Sequence, residues 1–166
     1  MTPEQFKEFR KLTISSILYT DMALHFELLS KWNTHQTTKG GFTSSIEDRQ
    51  LLLGFLLHAA DISNVSKPIN VRKWSDLVFQ EFLSQGDKEK ELGLPVSPYY
   101  DRNNTDQVKL SLNFIDFMVG PLFGSLSKTF TEFDSCNNCV KLSREYWAAF
   151  SKDEPQIPKP TEKVRN

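Results

Sequence analysis

His58-Ala59-Ala60-Asp61-Ile62-Ser63-Asn64 is the stretch of this sequence richest in groups able to do chemistry. His58 stands three residues before Asp61, a spacing that places both on one helix face, where an imidazole and a carboxylate can ligate a metal. A buried carboxylate costs several kcal/mol unless a cation or several donors meet it. The same residues also suit a helix C-terminal turn in which Asp61 and Asn64 satisfy nearby backbone groups. On the residues alone that second reading is favoured, with His58 a satisfied core histidine. His25 and His35 form no HExxH-type pair, and three histidines are too few and too scattered to build a metal site by themselves. Cys136-Asn137-Asn138-Cys139 has CxxC spacing, but zinc would need two further ligands and a redox motif a βαβ context. Neither role is expected.

The elements that would position these groups read as helices throughout. Thr2-x-x-Gln5 with Pro3 is a capping box followed by proline at the first helical position. Phe6, Phe9, Ile14, Ile17, Leu18, Leu24, Leu28 and Leu29 then recur at three- and four-residue steps, so one long helix to about Trp32 is the simplest expectation. The polar stretch Asn33 to Ser45, with Gly40-Gly41, reads as a loop. Ile46 to Ala60 becomes apolar on every side, which predicts a helix buried all round. Further helices are expected over Ile69–Leu83 and Asp106–Val119, the second broken or kinked at Gly120-Pro121 and continuing beyond it, and over Ser135–Phe150. The run Asp87 to Glu91 reads as a solvated helical face with charge pairs. An irregular loop spans Leu92 to Asp106, and residues 151–166, with three prolines, read as a disordered tail. The expected fold class is all-α.

Composition narrows the function classes. A formal net charge of -1 over 166 residues gives no field favouring nucleic acid or an anionic membrane. No apolar run reaches the roughly 18 residues that span a bilayer, no signal-peptide pattern opens the sequence, and two cysteines make no disulfide framework. A cytoplasmic location is therefore the default. Thirteen phenylalanines point to a large aromatic core or an apolar pocket.

Four ordered blocks carry a resemblance. They are Tyr19 to Phe26 (YTDMALHF), His58 to Asn64 (HAADISN), Glu81 to Glu89 (EFLSQGDKE) and Phe114 to Leu122 (FIDFMVGPL). In order and spacing the chain resembles the class I 3′,5′-cyclic-nucleotide phosphodiesterases over about residues 4–150, corresponding to the C-terminal half of their catalytic domain. The resemblance implies an all-helical, HD-superfamily-like fold and a pocket with two divalent ions, zinc and magnesium (or manganese). Between them a hydroxide opens cyclic AMP or cyclic GMP to the 5′-monophosphate in signal transduction; such ions lower the pKa of water and neutralise phosphoryl charge. By the same resemblance Asp61 falls on a metal-ligand position, which reverses the reading from the residues alone. Thr20 falls on a position touching metal-bound water. Asn64 falls on a base contact, Phe114 on the aromatic clamp, Val78 and Phe82 on apolar pocket positions, and Tyr99 on the rim. His25 and His58 match positions that are not ligands.

Two departures bear on activity. The family's remaining ligands, and the histidine that protonates the leaving oxygen in a His-Asn-x-x-His motif, lie upstream of the matched region, so no catalytic acid is assigned within this chain. Where the family carries a purine-reading glutamine, an ungapped count places Ser111. Gln107 lies one turn earlier, about 6 Å along the axis, and a serine hydroxyl cannot reproduce a two-point amide contact. Val65 also stands where many members have proline. The chain is thus expected to be a partial catalytic domain, inactive alone and needing the N-terminal half or a partner chain. The alternative is a non-catalytic helical binding or scaffold module.

Overall fold

The computed structural model describes residues 1–39, 45–67 and 71–150. Seven α-helices are present among them: α1 Pro3–Leu18, α2 His25–Lys39, α3 Ile46–Asp61, α4 Val71–Glu91, α5 Gln107–Phe114, α6 Gly120–Thr129 and α7 Asp134–Ala149. The described residues hold no strand, as the all-α expectation required. The expected tail over 151–166 lies outside the described residues.

Local chemistry starts these helices. Thr2 Oγ1 accepts from the Gln5 N–H at 3.3 Å while Gln5 Oε1 accepts from the Thr2 N–H at 2.8 Å, closing the capping box of α1. Ser45 Oγ accepts from Asp48 N–H at the start of α3. Asp106 Oδ1 accepts from the Val108 and Lys109 amides at the start of α5. Each cap satisfies N–H groups that the helix itself leaves open.

The single long helix expected up to Trp32 is two. α1 stops at Leu18, Thr20 Oγ1 donates to the Ile17 carbonyl at 2.8 Å, and Asp21 Oδ1 accepts from Ala23 N–H to start a 3₁₀ turn, Met22–Leu24. A side chain that competes for backbone groups ends a helix even where the apolar spacing runs on. The loop expected from Asn33 is helical as far as Lys39. α4 outruns its expected end at Leu83 and carries the charge run 87–91, with Gln85–Glu89 and Lys88–Glu91 contacts along it.

The break expected at Gly120-Pro121 is a rewinding. Residues Ile115–Val119 form a π-helical turn joining α5 to α6, and the Gly120 N–H reaches the Ile115 carbonyl five residues back. Pro121 brings no N–H to the ladder, and one wide turn absorbs the mismatch without ending the helix. The resulting run, Gln107–Thr129, is long and apolar enough by composition to cross a membrane. Its Ile115, Val119, Leu122 and Leu126 are buried in the common core, the position of a core helix.

That core gathers Trp32 of α2, Phe55 of α3, the α5–α6 run, and Val140 and Trp147 of α7. α3 is not buried all round as its composition suggested: Leu53 and Leu57 are 46% and 40% exposed. Its inner face explains the close approach of α1. A Cβ on Gly54 would lie 2.2 Å from the Tyr19 ring, so only glycine admits that ring there.

Candidate functional site

α3 delivers Asp61 as its last residue, exposed, with no hydrogen-bond or ion-pair partner among the described residues. The 3₁₀ turn Ser63–Ser66 follows directly. Local capping by Asp61 and Asn64, the reading favoured from the residues alone, is not what holds this turn. The Ile62 N–H goes to the His58 carbonyl, and the Ser66 hydroxyl donates to the Ser63 carbonyl at 2.8 Å. Ser143 Oγ of α7 donates to the Val65 carbonyl at 2.7 Å and pins the turn from below. Asn64 Oδ1 is buried there without a hydrogen-bond partner, a group whose desolvation costs about 1–3 kcal/mol if nothing meets it.

α4 and the α5 side face each other beside this turn. Ser75 Oγ lies 3.3 Å from Ser111 Oγ. Gln107 Nε2 donates to Asp76 Oδ1 at 2.7 Å, and Arg72 approaches the other oxygen of Asp76 at 3.4 Å. The amide one turn before Ser111 is therefore held by an acid on α4. Phe114 closes α5, half-buried against the core. Val78 is 40% exposed on α4, and Phe82, one turn further, is half-buried.

Phe82 stacks on Tyr100, with centroids 4.6 Å apart and planes within 10°. Sequence reading named Tyr99 and missed this partner. Tyr99 is 65% exposed with φ of 69°, in the left-handed region, and its carbonyl accepts from the Thr105 hydroxyl at 2.9 Å. In the Tyr99-Tyr100 pair the first ring points out and the second in. Glu89 anchors the approach to this loop: Gln85, then the amide and hydroxyl of Ser97, donate to its carboxylate and hold its pKa below the ordinary value. Gly86 permits the contact, since a Cβ there would lie 2.0 Å from the Tyr100 carbonyl oxygen. Gly86→Ala is expected to cost at least about 1–3 kcal/mol, as backbone overpacking does. Urea unfolding reads the loss, and an unchanged midpoint would contradict it.

At the buried face of α3 the two histidines face each other. His25 Nδ1 and His58 Nε2 share a 2.8 Å hydrogen bond between rings with no exposed surface, while His25 Nε2 has no partner. Burial, and then the neighbouring His58, push the His25 pKa below its ordinary value. Burial likewise lowers that of His58, against the opposing pull of the Asp61 carboxylate and the Tyr19 carbonyl. His35 Nε2 is 2.8 Å from Asp48 Oδ1, also buried. Neither contact has a short-range spacing that would announce it. Thr20, whose hydroxyl proton goes to Ile17, keeps only acceptor lone pairs for an outside group.

A protein zinc site takes about four ligands. Among the described residues no group of three His, Cys, Asp or Glu side chains converges. The Asp61 carboxylate is open to an outside cation, and the described residues do not by themselves fit a two-metal centre. Cys136 and Cys139 are half-buried free thiols on α7.

Comparison with known proteins places this geometry. A sequence family described as 3′5′-cyclic nucleotide phosphodiesterase matches residues 1–140. The chain is 35% identical over 151 residues to the 3′,5′-cyclic-nucleotide phosphodiesterase regA of Dictyostelium discoideum, a match covering 90% of this chain and 19% of the relative. It is 41% identical over 128 residues to the dual specificity calcium/calmodulin-dependent 3′,5′-cyclic nucleotide phosphodiesterase 1 of Drosophila melanogaster, covering 76% and 15%. The solved structure of LmjPDEB1 in complex with IBMX superposes with a TM-score of 0.82 at 32% identity, over 89% of this chain and 45% of that one. The chain thus spans less than half the length of each.

Proposed function

This chain belongs to the 3′,5′-cyclic nucleotide phosphodiesterase family, and we propose that it forms the base-reading side of such a catalytic domain together with one metal ligand, Asp61. The observation that carries this reading is the end of α3. An exposed acid without a partner is followed three residues later by a buried amide oxygen without one. Both are polar groups left open where α3 ends, and a substrate with a metal centre on one side and a base on the other would meet both.

The roles then follow from position. Asn64 offers its amide to the base edge. Phe114 presents a ring for stacking, which favours a flat purine over water. Val78 and Phe82 supply apolar wall, with Tyr100 fixing the Phe82 ring. Thr20 offers lone pairs toward water near Asp61. Zinc and magnesium as the ions, a cytoplasmic setting, and cyclic AMP or cyclic GMP as substrate belong to the same proposal. The engagement of Gln107 by Asp76, with only a hydroxyl at Ser111, favours weak discrimination between the two bases.

Hydrolysis needs more ligands than the described residues bring together, so these 166 residues alone are expected to be inactive. Purified chain, supplied with zinc and magnesium, should release no 5′-monophosphate from either cyclic nucleotide above a chelator-treated control. Robust metal-dependent turnover would overturn the proposal.

A further inference from the structure

Cys136 and Cys139 are nucleophilic side chains that the proposed site leaves unused. Both are free, half-buried thiols near the start of α7, and their three-residue spacing sets them on adjoining turns of one face. Cys136 packs against the hydrophobic core, which fixes its place. Residues three apart on a helix hold their Cβ atoms about 5–6 Å from each other, whereas a disulfide needs about 3.5–4.5 Å. The helical backbone of α7 therefore holds the pair too far apart for the sulfurs to bond directly. Two metal–sulfur bonds of about 2.3 Å, the length in zinc thiolates, reach up to about 4.6 Å between sulfurs. An ion between the thiols bridges that gap without unwinding the helix.

We propose that Cys136 and Cys139 form a two-thiolate site for a soft cation of low coordination number, of which Cu(I) is the type. Ligand count and softness choose the ion. Zinc takes about four ligands, and among the described residues no third His, Cys, Asp or Glu side chain converges on this pair. Thiolates select Cu(I) over the hard cations that carboxylates and water suit. On binding, both thiol protons leave to solvent, two S–Cu bonds form and no electron is transferred, so the site gains one net negative charge. Phe133 at the N-cap of α7 gives no side-chain cap, and Asp134 in the first turn receives the Ser127 hydroxyl. The helix end that favours negative charge thus stands uncapped by that residue beside Cys136. Cys139 lies one turn before Ser143, whose hydroxyl pins the Val65 carbonyl, so a bound ion braces the helix that holds the Ser63–Ser66 turn. The site is independent of the function proposed above.

The test titrates the purified, reduced chain with Cu(I) under nitrogen against a competing Cu(I) chelator, with X-ray absorption counting the sulfur neighbours of the ion. We expect one Cu(I) per chain with two sulfur neighbours, and slower amide hydrogen exchange over residues 136–143. Cys136→Ser and Cys139→Ser should each weaken binding at least about a hundredfold, since loss of even an outer-shell partner costs up to about that much. Leu142→Ala, on the exposed side of α7, should change it less than about twofold, as surface substitutions do. Zinc at the same concentration should not displace the ion. Helical circular dichroism equal to the parent's shows that the serine variants remain folded, and the sulfur count on the unaltered chain decides the matter without them. One ion shared by two chains, a single sulfur neighbour, or binding indifferent to either serine substitution would overturn the inference. So would ready closure of an intramolecular disulfide by glutathione disulfide with no uptake of Cu(I), because the pair would then be a redox couple.

Discussion

Trp32→Ala is expected to lower the stability of this protein by about 3–5 kcal/mol, the range for truncating a large aromatic side chain in a packed core. Trp32 has no exposed surface, and its ring lies on Phe55 with centroids 4.1 Å apart and planes within 6°. Phe130, entering from the turn after α6, meets it at 6.2 Å. One side chain on α2 thus holds α3 and the end of α6 together, and removing it opens a cavity where three elements meet. Domains of this kind have only about 5–15 kcal/mol of net stability, so the loss is a large fraction of the whole. Urea unfolding at fixed slope measures it. Leu142→Ala, at a position 61% exposed, is the control and should cost less than about 1 kcal/mol. A Trp32→Ala midpoint no lower than that of the control would show that the core is not organised around this stack.

Stability is also expected to fall with pH because of the His25–His58 pair. Both rings are fully buried, and burial lowers both pKa values from 6.5. A histidine held neutral by the fold takes up its proton on unfolding, so its contribution is complete well above pH 6.5. That contribution is lost as pH drops through 6.5 toward the depressed folded value. Each proton taken up on unfolding costs about 1.4 kcal/mol per pH unit in that window. The rings are in direct contact, so charging one opposes charging the other, and they titrate as a coupled pair. Asp61 favours the charged form of His58 and so offsets part of the depression there. Unfolding midpoints from pH 8 to 5, with the histidine ring protons followed by NMR, test this. The expected result is a steady fall below about pH 6.5 with two rings remaining neutral in the folded protein. A flat profile, or both rings titrating at their ordinary value, would contradict the account.

The parts of this fold legible in the sequence are those governed by local chemistry. Thr2, Pro3 and Gln5 announced α1, and the helical class followed from apolar spacing throughout. Helix ends set by side-chain competition were harder: Leu24, Leu28 and Leu29 continue the spacing of α1 although Asp21 has already started a new element. Gly120-Pro121 was visible as a disturbance, but the choice between a kink and a wide turn depends on where the Gly120 N–H finds a carbonyl. α3 shows a deeper limit. Leu53 and Leu57 have the composition of buried positions yet stand 46% and 40% exposed, because composition does not say which side of a helix the rest of the fold covers.

The site divides in the same way. Asp61 and Asn64 were singled out by four short blocks in a family's order. Their setting was not legible, because Ser75–Ser111 and Asp76–Gln107 join residues 36 and 31 positions apart. Tyr100 was missed beside Tyr99 because a backbone turn into the left-handed region decides which ring faces Phe82. The histidine pair, 33 positions apart, had no signal in spacing at all.

The central claim is that this chain carries a competent half of a phosphodiesterase site with Asp61 at its metal-facing corner. The most direct test grafts residues 1–150 in place of the matching part of LmjPDEB1 and measures metal-dependent hydrolysis of cyclic AMP and cyclic GMP. The account predicts turnover by the folded chimera and a loss of at least about a thousandfold with Asp61→Asn, since neutralising a ligand removes both a bond and a charge from the ion it holds. A folded chimera whose turnover is unchanged by Asp61→Asn, or that binds its metals and hydrolyses neither nucleotide, would contradict it.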